Sequence, residues 1–317
     1  MTDNETQRKD EQTPAKLSLP AKCRLRFTLK SDWHVGSGTG RPGNIDSLIQ
    51  RDSDGLPYLP AKTVTGILRD ASEQLAYGLD DGKKGNWSKL TEILFGNQPA
   101  LPNEPVEKRP HASLIRIASA HYSSNLRNHI KRTIENIAED RAKSSEDDNE
   151  RTANAKSYKQ QLARQIRAAS VFIKPGVSID PATGQAKTDF LRFEEMGRKG
   201  VALEADCVLD FDSLKDELKP FAKALLLASA LLVERIGGKR RRGAGRCDVE
   251  IVRAKDSDTL SSSKDAISWL MSNGAKLDLS ERKQPETANC DSKNAKRSNL
   301  ARLPKATNGG QSRSFCV

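Results

Sequence analysis

The chain has 317 residues, of which 36% are hydrophobic and 30% are charged, and its formal net charge is +11. The low apolar fraction indicates solvated segments beside a folded core, and the positive charge favours a polyanionic partner, either a nucleic acid or an acidic membrane surface. The sequence has no apolar run of about 18 residues and no apolar signal core near its start, so it indicates neither a membrane-spanning helix nor export, and we expect a cytoplasmic protein.

The first part of the chain is predicted to be a disordered leader, a strand and a loop. Residues 1–19 are polar and lack a periodic apolar pattern. From Cys23 to Lys30 apolar and polar residues alternate, which is typical of a strand with one buried face. The glycine-rich stretch "SDWHVGSGTGRPGNID", residues 31–46, then predicts an irregular loop in which Trp33 packs against the core, with stacking on a nucleic-acid base as the alternative.

A long helix is predicted to begin at Pro60. Before it, Ser47–Arg51 is predicted to be a short extended segment and Asp52–Pro57 a turn. After Pro60, apolar residues recur at spacings of three and four and therefore share one helical face; they are Val64, Ile67, Leu68, Ala71 and Leu75.

Residues 80–168 interrupt this pattern, and we interpret them as an insertion. They predict a short helix at Asn86–Phe95, a strand at Ser113–Ala118 and a charged stretch between Leu126 and Arg167 that has few large apolar groups. Because acids and bases are intermixed in that stretch, it is predicted to form a solvated helical hairpin.

The pattern of a folded core returns after the insertion. A strand at Ala168–Ile173 leads into a β-hairpin over residues 175–193, since two extended arms flank the turn Pro181–Gly184. Three elements follow, namely a strand over Val201–Phe211, a helix over Leu214–Ile236 and a strand over Cys247–Ile251. Residues 255–317 are predicted to be a polar, basic tail that is mostly disordered, with one weak helix at Lys264–Met271.

The order of these elements predicts an α+β fold for residues 20–254. Strands and helices that alternate as split β-α-β units are typical of a ferredoxin-like sheet with its helices on one face, an architecture shared by RNA-recognition domains. Fold alone does not decide function, so the motifs must.

Neither glycine-rich loop of the chain is a nucleotide-binding loop. Gly36, Gly38 and Gly40 lack the G-x-G-x-x-G spacing and lead to no helix, and neither loop contains G-x-x-x-x-G-K followed by Ser or Thr. The sequence therefore excludes the common dinucleotide and nucleoside-triphosphate sites.

The stretch "RIGGKRRRGAGR", Arg235–Arg246, joins the last predicted helix to the last predicted strand. Its glycines would let backbone amides approach a phosphate, and its guanidinium groups suit phosphate recognition, so we predict contact with a sugar-phosphate backbone. The alternative is that the glycines only turn the chain and cap the helix, at Gly237 or Gly238, while the basic residues are solvated.

Four separated stretches resemble, in the same order, the RAMP superfamily, and in particular the backbone subunits of type III CRISPR–Cas effector complexes. They are "WHVGSG", "GNIDSLIQRDSDGLPYLPAKTVTGILR", "VSIDPATGQAKTDFLRFEEM" and "GGKRRRGAGRCDVEI". The resemblance covers residues 25–78 and 166–251. It implies a modified RNA-recognition-motif fold with a thumb hairpin and a large insertion, in subunits that stack along a guide RNA.

The resemblance also implies a cleavage site. Val177–Phe193 matches the thumb that kinks the guide–target duplex, with Val177, Ile179, Phe190 and Phe193 as its apolar residues. Asp46 of "GNID" matches the aspartate that cleaves target RNA with a divalent metal, Mg or Mn. From the residues alone, Asp46 could instead form an Asx-turn or a cap before the next segment.

Guide-RNA contacts are implied in the first loop, the helix after Pro60 and the Gly–Arg loop. The matching residues are His34, Ser37, Lys62, Arg69, Gly238, Lys239, Arg240, Arg241, Arg242, Gly243 and Gly245. Packing or RNA contact is favoured for His34 over a role as general base. The helix departs from the family pattern, since Ala61 and Thr65 stand where a glycine and a lysine are common, and Lys62 could supply the missing charge.

The partners implied are guide RNA, complementary target RNA, neighbouring RAMP subunits and a large polymerase-like subunit, with no membrane. Two alternatives remain open. One is a non-catalytic architectural subunit of the same complex, and the other is a guide-processing endoribonuclease. The latter is less favoured because such enzymes use a histidine-centred site, and only His34 lies within a motif. The insertion is predicted to dock on a neighbouring subunit or to border the target-RNA channel.

Overall fold

The structure is a computed structural model, and it describes residues 17, 19–96, 112–142, 148–188, 190–253 and 263–279. Most of the predicted leader and the predicted tail beyond residue 279 lie outside the described residues. No helix in the described part of the chain is both long and apolar enough to cross a bilayer.

The main sheet contains four strands in a row and a short fifth strand. The row consists of β2 (Ile115–Ile117), β6 (Ala202–Leu209), β1 (Lys22–Leu29) and β7 (Cys247–Arg253), and β3 (His121–Tyr122) also pairs with β6. Every pairing is antiparallel. Because β6 lies between β1 and β2, and β1 lies between β6 and β7, the two β-α-β units interleave, which confirms the predicted ferredoxin-like α+β fold.

Two helices supply the core beneath this sheet. They are α1 (Ala61–Leu79), which lies between β1 and β2 along the chain, and α5 (Lys219–Leu232), which lies between β6 and β7. Inward residues of β1, such as Phe27 and Leu29, are buried in one cluster with the apolar residues of both helices. Burying these side chains stabilises the sheet because apolar surface is removed from water.

The opposite face of the sheet carries charge. Arg24 bonds Asp206 at 3.0 Å and Glu204 at 3.2 Å, and Arg26 bonds Glu204 at 3.1 Å. Alternation along the strands thus places an ion-paired surface on one side and the apolar core on the other.

The predicted hairpin forms a second, two-stranded sheet. Strand β4 (Val171–Gly176) pairs with β5 (Arg192–Gly197), and the chain between them closes at a turn in which Gly184 donates to the carbonyl of Asp180. Apolar side chains along it are exposed, among them Val177 at 52%, Ile179 at 54%, Phe190 at 44% and Leu191 at 53%. Apolar side chains this exposed on a protruding hairpin are typical of a contact surface.

The predicted insertion, residues 80–168, is too wide, because β2 and β3 lie within it and belong to the main sheet. Helix α2 (Asn86–Phe95) matches the prediction, and the insertion itself contains the helical hairpin of α3 (Ser124–Ala142) and α4 (Asp148–Ala169). The helical hairpin is attached to the turn before α1. Arg127 bonds the carboxylate of Asp54, and Arg167 donates to the carbonyl of Asp54 at 2.6 Å. The hydrogen bond from Arg127 lowers the pKa of Asp54 below its usual range.

Two predicted boundaries of the folded body differ from the structure. Leu17 and Leu19 are buried in the core, so the folded body begins before residue 20. Helix α6 (Ser263–Asn273) packs on α5, and Leu277 and Leu279 are buried, so residues 263–279 belong to the folded body and not to a disordered tail. Burial of the apolar side chains stabilises these short stretches in the folded body, although most of their neighbours in the sequence are polar.

Helix α5 ends earlier than predicted, at Leu232 instead of Ile236. The next residues are extended, since Ile236 donates to the carbonyl of Gly245 at 2.8 Å and Cys247 donates to the carbonyl of Glu234 at 2.9 Å. The N–H of Ile236 and the carbonyl of Glu234, which would otherwise continue the helix, instead form hydrogen bonds across the Gly–Arg loop, so the two ends of the loop pair as a small hairpin. Neither Gly237 nor Gly238 therefore caps α5, which corrects the predicted capping role.

Candidate nucleic-acid interface

Asp46 lies at the edge of β5, where the hairpin joins the body. Its backbone N–H donates to the carbonyl of Phe193 at 2.9 Å, and its carboxylate accepts from the N–H of Phe193 at 2.7 Å. The side chain is exposed, and among the described residues this hydrogen bond is its one partner. The carboxylate is thus held at the base of the hairpin while it still faces solvent.

His34 supports the segment that carries Asp46. Its side chain is 6% exposed, its Nδ1 lies 2.7 Å from the carbonyl oxygen of Glu195, and its Nε2 lies 3.1 Å from Oγ of Ser47. A carbonyl can only accept, so Nδ1 carries the proton toward Glu195, and in the neutral ring Nε2 accepts from the Ser47 hydroxyl. His34 therefore joins β5 to the residue that follows Asp46.

Glu195 is a buried carboxylate in β5 and contacts the same segment. It is 7% exposed, and it accepts from the N–H of Ile49 at 3.2 Å and from the guanidinium of Arg51 at 2.7 Å. Its own N–H donates to the carbonyl of Ser47 at 2.9 Å. A buried charge is costly unless it is paired, and here both oxygens have partners.

The Gly–Arg loop packs against the first loop of the chain. Gly237 has φ +77°, and a Cβ there would lie 2.1 Å from the carbonyl oxygen of His34. Gly245 has φ +74°, and a Cβ there would lie 1.9 Å from the carbonyl oxygen of Ile236. Only glycine tolerates both the conformation and the close approach. These two glycines fix the loop beside His34.

The basic side chains of the Gly–Arg loop differ in their surroundings. Lys239 forms an ion pair with Glu194 of β5 at 2.5 Å, and Arg240 lies 3.8 Å from the carboxylate of Asp70 in α1. Arg241 and Arg242 are exposed, and neither forms an ion pair within the described part of the chain. Arg246 is also exposed and forms no ion pair in the described part of the chain, so the exposed, unpaired positive charge of the loop lies on these three arginines.

A groove lies between the Gly–Arg loop and the base of the hairpin. Its walls come from β4, β5 and the loop, and its lining includes four basic side chains and one acidic one: Lys174, Arg192, Lys239, Arg242 and Glu194. Since Glu194 pairs with Lys239, the groove keeps an excess of positive charge. A chain of phosphates is the ligand class that such a groove favours.

The open face of the main sheet is less suited to RNA. RNA-recognition sheets stack bases on aromatic side chains. The outward positions of β1, β2, β6 and β7 contain no Phe, Tyr or Trp within the described ranges of these strands, and they carry residues such as Arg24, Glu204 and Glu250. The groove, rather than this face, is the stronger candidate for RNA.

A sequence model of the RAMP superfamily matches residues 26–248. The chain belongs to the RAMP superfamily. No curated protein matches this RAMP protein. Its fold is similar to that of a chain in the cryo-EM structure of the Type III-B Cmr-beta bound to cognate target RNA, with a TM-score of 0.47, 13% identity and coverage of 75% of this chain and 98% of that chain. A chain of the apo Type III-B Cmr-beta gives a TM-score of 0.45, 15% identity and the same coverage, 75% and 98%.

Several residues of this RAMP protein that were predicted to contact RNA also have structural roles. His34 is buried and both its ring nitrogens are engaged, so it supports the Asp46 segment, and its contact with RNA stays a prediction. The amides of Gly238, Gly243 and Gly245 donate to protein carbonyls, of His34, Arg240 and Asp32 respectively. These glycines turn and anchor the loop, so the predicted phosphate contact of the loop depends on its basic side chains.

Other predicted contacts stay predictions. Lys62 is exposed on the first turn of α1. Arg69 pairs with Glu73 at 2.6 Å, so a phosphate would have to compete with that carboxylate. Ser37 bonds Thr39 within the first loop at 2.9 Å. Trp33 is fully buried, as the sequence predicted.

The sequence did not identify four residues of β4 and β5 as part of the site. Lys174 and Arg192 line the groove, Glu194 binds the Gly–Arg loop, and Glu195 binds the Asp46 segment. Pairing of β4 with β5 brings these residues together. The charged run "RFEEM" after an apolar hairpin arm was the available signal, since two adjacent glutamates alternate between the two faces of a strand.

Proposed function

We propose that this RAMP protein binds guide RNA as a backbone subunit of a type III CRISPR effector complex and cleaves complementary target RNA through Asp46. One observation carries the proposal. The carboxylate of Asp46 accepts a 2.7 Å hydrogen bond from the N–H of Phe193, at the base of the hairpin. The two sequence neighbours of Phe193, Arg192 and Glu194, line the basic groove. A single carboxylate beside a basic groove is suited to chemistry on a phosphodiester.

The basic groove would hold the RNA backbone. Lys174, Arg192 and Arg242 can each donate to phosphate oxygens, and Arg241 extends the positive surface. Such contacts fix the position of the RNA without reading its sequence. Recognition of the target would then depend on base pairing with the guide RNA.

The exposed apolar side chains of the hairpin would displace a nucleotide of the paired RNA. Val177, Ile179 and Phe190 are available for this contact. A displaced nucleotide can align its 2′-oxygen with the adjacent phosphorus and the leaving 5′-oxygen. The 2′-oxygen then bonds to phosphorus as its proton passes to Asp46, and the bond to the 5′-oxygen breaks as that oxygen takes a proton from water.

Asp46 is also the residue that would hold a divalent metal. The described residues contain no group of three or more His, Cys, Asp or Glu side chains that could form a protein cage for a metal ion. Mg²⁺ needs no such cage, because it keeps several waters and binds through one or two carboxylates together with substrate phosphates. The exposed Asp46 carboxylate fits that donor set, and a bound Mg or Mn ion would supply charge stabilisation at the phosphate.

The second candidate is a non-catalytic architectural subunit that binds RNA in the same groove. The hydrogen bond from Phe193 favours it, because that bond gives the carboxylate of Asp46 a structural role of its own. In either case we propose the same partners, namely guide RNA, target RNA, neighbouring RAMP subunits and a large polymerase-like subunit. The helical insertion is proposed to contact a neighbouring subunit or the target RNA.

The two candidates are separated by assembling the effector complex with Asp46→Ala. If Asp46 is catalytic, target cleavage beside this subunit is lost in Mg or Mn while target RNA still binds. If the subunit is architectural, the cleavage products are unchanged. Failure of the wild-type protein to bind guide RNA would contradict both candidates.

A further inference from the structure

Three consecutive residues of β5 contact two separate parts of the proposed site. The backbone of Phe193 holds Asp46, and the carboxylate of Glu194 holds Lys239 in the Gly–Arg loop. The carboxylate of Glu195 holds the segment that follows Asp46. Strand β5 therefore joins the RNA-holding loop to the segment that carries the reacting carboxylate.

Glu195 makes the most extensive of these contacts. Its N–H, its carbonyl and both its carboxylate oxygens are engaged, with Ser47, His34, Ile49 and Arg51. Three of these four partners lie within five residues of Asp46 in the sequence. At 7% exposure, Glu195 cannot itself reach a bound RNA.

Asp46 depends on such support because it lies in an irregular loop. It follows the tight turn between Arg41 and Ile45, and its side chain has one hydrogen bond within the described residues. Its direction is therefore set by the backbone on either side. On the C-terminal side of Asp46, the hydrogen bonds that Ser47 and Ile49 make with Glu195 hold the backbone along β5.

We propose that Glu195 is a positioning residue for Asp46. Its carboxylate holds Ile49 and Arg51, and these contacts fix the chain segment that carries Asp46. This inference rests on the proposed cleavage function. A buried glutamate could also serve stability alone, so the two roles must be separated by the reaction rate. Misplacement of a reacting group by about 1 Å costs about 100-fold in rate, whereas the affinity for RNA does not depend on that placement.

The test is single-turnover cleavage of bound target RNA by complexes assembled with Glu195→Gln. The amide is neutral; its oxygen can still accept from the N–H of Ile49, but its NH2 group, a donor, then faces the guanidinium of Arg51. We expect cleavage to slow by about 10- to 100-fold, with target affinity unchanged. Glu250→Gln is the matched control, since Glu250 is exposed on the outer face of β7 and its variant is expected to cleave at the wild-type rate.

The double variant Arg51→Gln/Glu195→Gln tests whether the effect of Glu195 runs through its contact with Arg51. Two neutral amides can bond to each other, so the double variant is expected to cleave faster than Glu195→Gln alone. If Glu195→Gln does not assemble, Arg51→Gln by itself decides, because Arg51 is less buried than Glu195. The expected result is again slower cleavage at unchanged affinity.

Wild-type cleavage by Glu195→Gln, or by Arg51→Gln where the first variant does not assemble, would overturn the inference. A loss of affinity as large as the loss of rate would also overturn it, since a purely structural role gives that result. Asp46→Ala measured in parallel separates the two proposals. If it still cleaves, the cleavage function is wrong; if it is inactive while Glu195→Gln is fully active, only the positioning role is wrong.

Discussion

Asp46 and Phe193 are joined by two hydrogen bonds, at 2.9 Å from the backbone of Asp46 and at 2.7 Å to its carboxylate. The loop after β1 and the start of β5 are far apart in sequence, and these bonds bring them together. The exposed carboxylate therefore lies where the hairpin leaves the body. The hairpin that would distort the RNA and the group that would cut it share one point of attachment.

The first prediction concerns the Gly–Arg loop. Arg241→Ala and Arg242→Ala should each weaken RNA binding by the same factor for all RNA sequences. Each should also reduce the slope of log affinity against log salt concentration, by about 0.7–0.9 for each phosphate that the loop no longer binds. Arg240→Ala should have less effect, since Arg240 lies near Asp70. Fluorescence anisotropy titrations at several salt concentrations measure both quantities.

The control for that prediction is Arg116→Ala, which removes an exposed arginine from β2 on the outer face of the sheet. It should leave the salt slope unchanged. An equal decrease in affinity for the Arg116 and Arg242 variants would mean that RNA binds over much of the surface and is not concentrated in the groove.

The glycines of the Gly–Arg loop give a prediction about stability. Gly237→Ala should destabilise the protein by at least about 2 kcal/mol, because alanine must adopt a left-handed conformation and approach the backbone of His34. Gly238→Ala is the neighbouring control, since a Cβ there meets nothing within 4 Å. Urea unfolding of both variants makes the comparison, and equal stabilities would contradict the packing of this loop against His34.

The sequence predicted elements whose signal is local. Alternation predicted β1, β6 and β7, and spacings of three and four predicted α1. The Pro181–Gly184 turn predicted the hairpin. It did not predict that Leu17 and Leu19 join the core, or that α5 ends at Leu232, because burial and cross-loop pairing decide those boundaries.

The candidate site was predicted only in part for the same reason. Asp46 and the basic loop stand out in the sequence by their motifs. The sequence does not show the roles of Glu195 and His34, because they depend on contacts between residues that are distant in the sequence. The Nδ1 atom of His34, for example, lies 2.7 Å from the carbonyl oxygen of Glu195, 161 positions away. Lys174 and Arg192 lie in the groove only because β4 pairs with β5.

The hairpin gives a third prediction. Replacing Val177, Ile179 and Phe190 by serine should change stability by less than about 0.5 kcal/mol for each residue, because all three are exposed. Target cleavage should nevertheless slow, since the RNA is no longer distorted beside Asp46. Met271→Ser, at a residue 84% exposed on α6, serves as the control and should not affect cleavage. Wild-type cleavage by the triple variant would remove the hairpin from the mechanism.

The attachment of the helical insertion should depend on pH. Arg127 lowers the pKa of Asp54, so the ion pair stabilises the folded state fully above the usual pKa of an aspartate, and this stabilisation is lost as the pH falls from there through the lowered pKa of the folded state. Asp54→Asn should therefore cost about 1 kcal/mol at pH 7, and the difference from wild type should begin to shrink at about pH 4 and vanish only below the lowered pKa of Asp54. Urea unfolding of both proteins across this range measures the difference. A difference that stays constant with pH would show that the Asp54 charge contributes nothing.

The most direct test of the proposed cleavage is the isosteric change Asp46→Asn in the assembled complex. Asparagine keeps an acceptor oxygen for the N–H of Phe193 but cannot take a proton or bind a divalent metal as a carboxylate does. In Mg or Mn, single-turnover cleavage of the target RNA beside this subunit should fall by at least about 100-fold, while guide and target affinities stay unchanged. Cleavage at the wild-type rate would contradict the assignment of Asp46 as the reacting carboxylate.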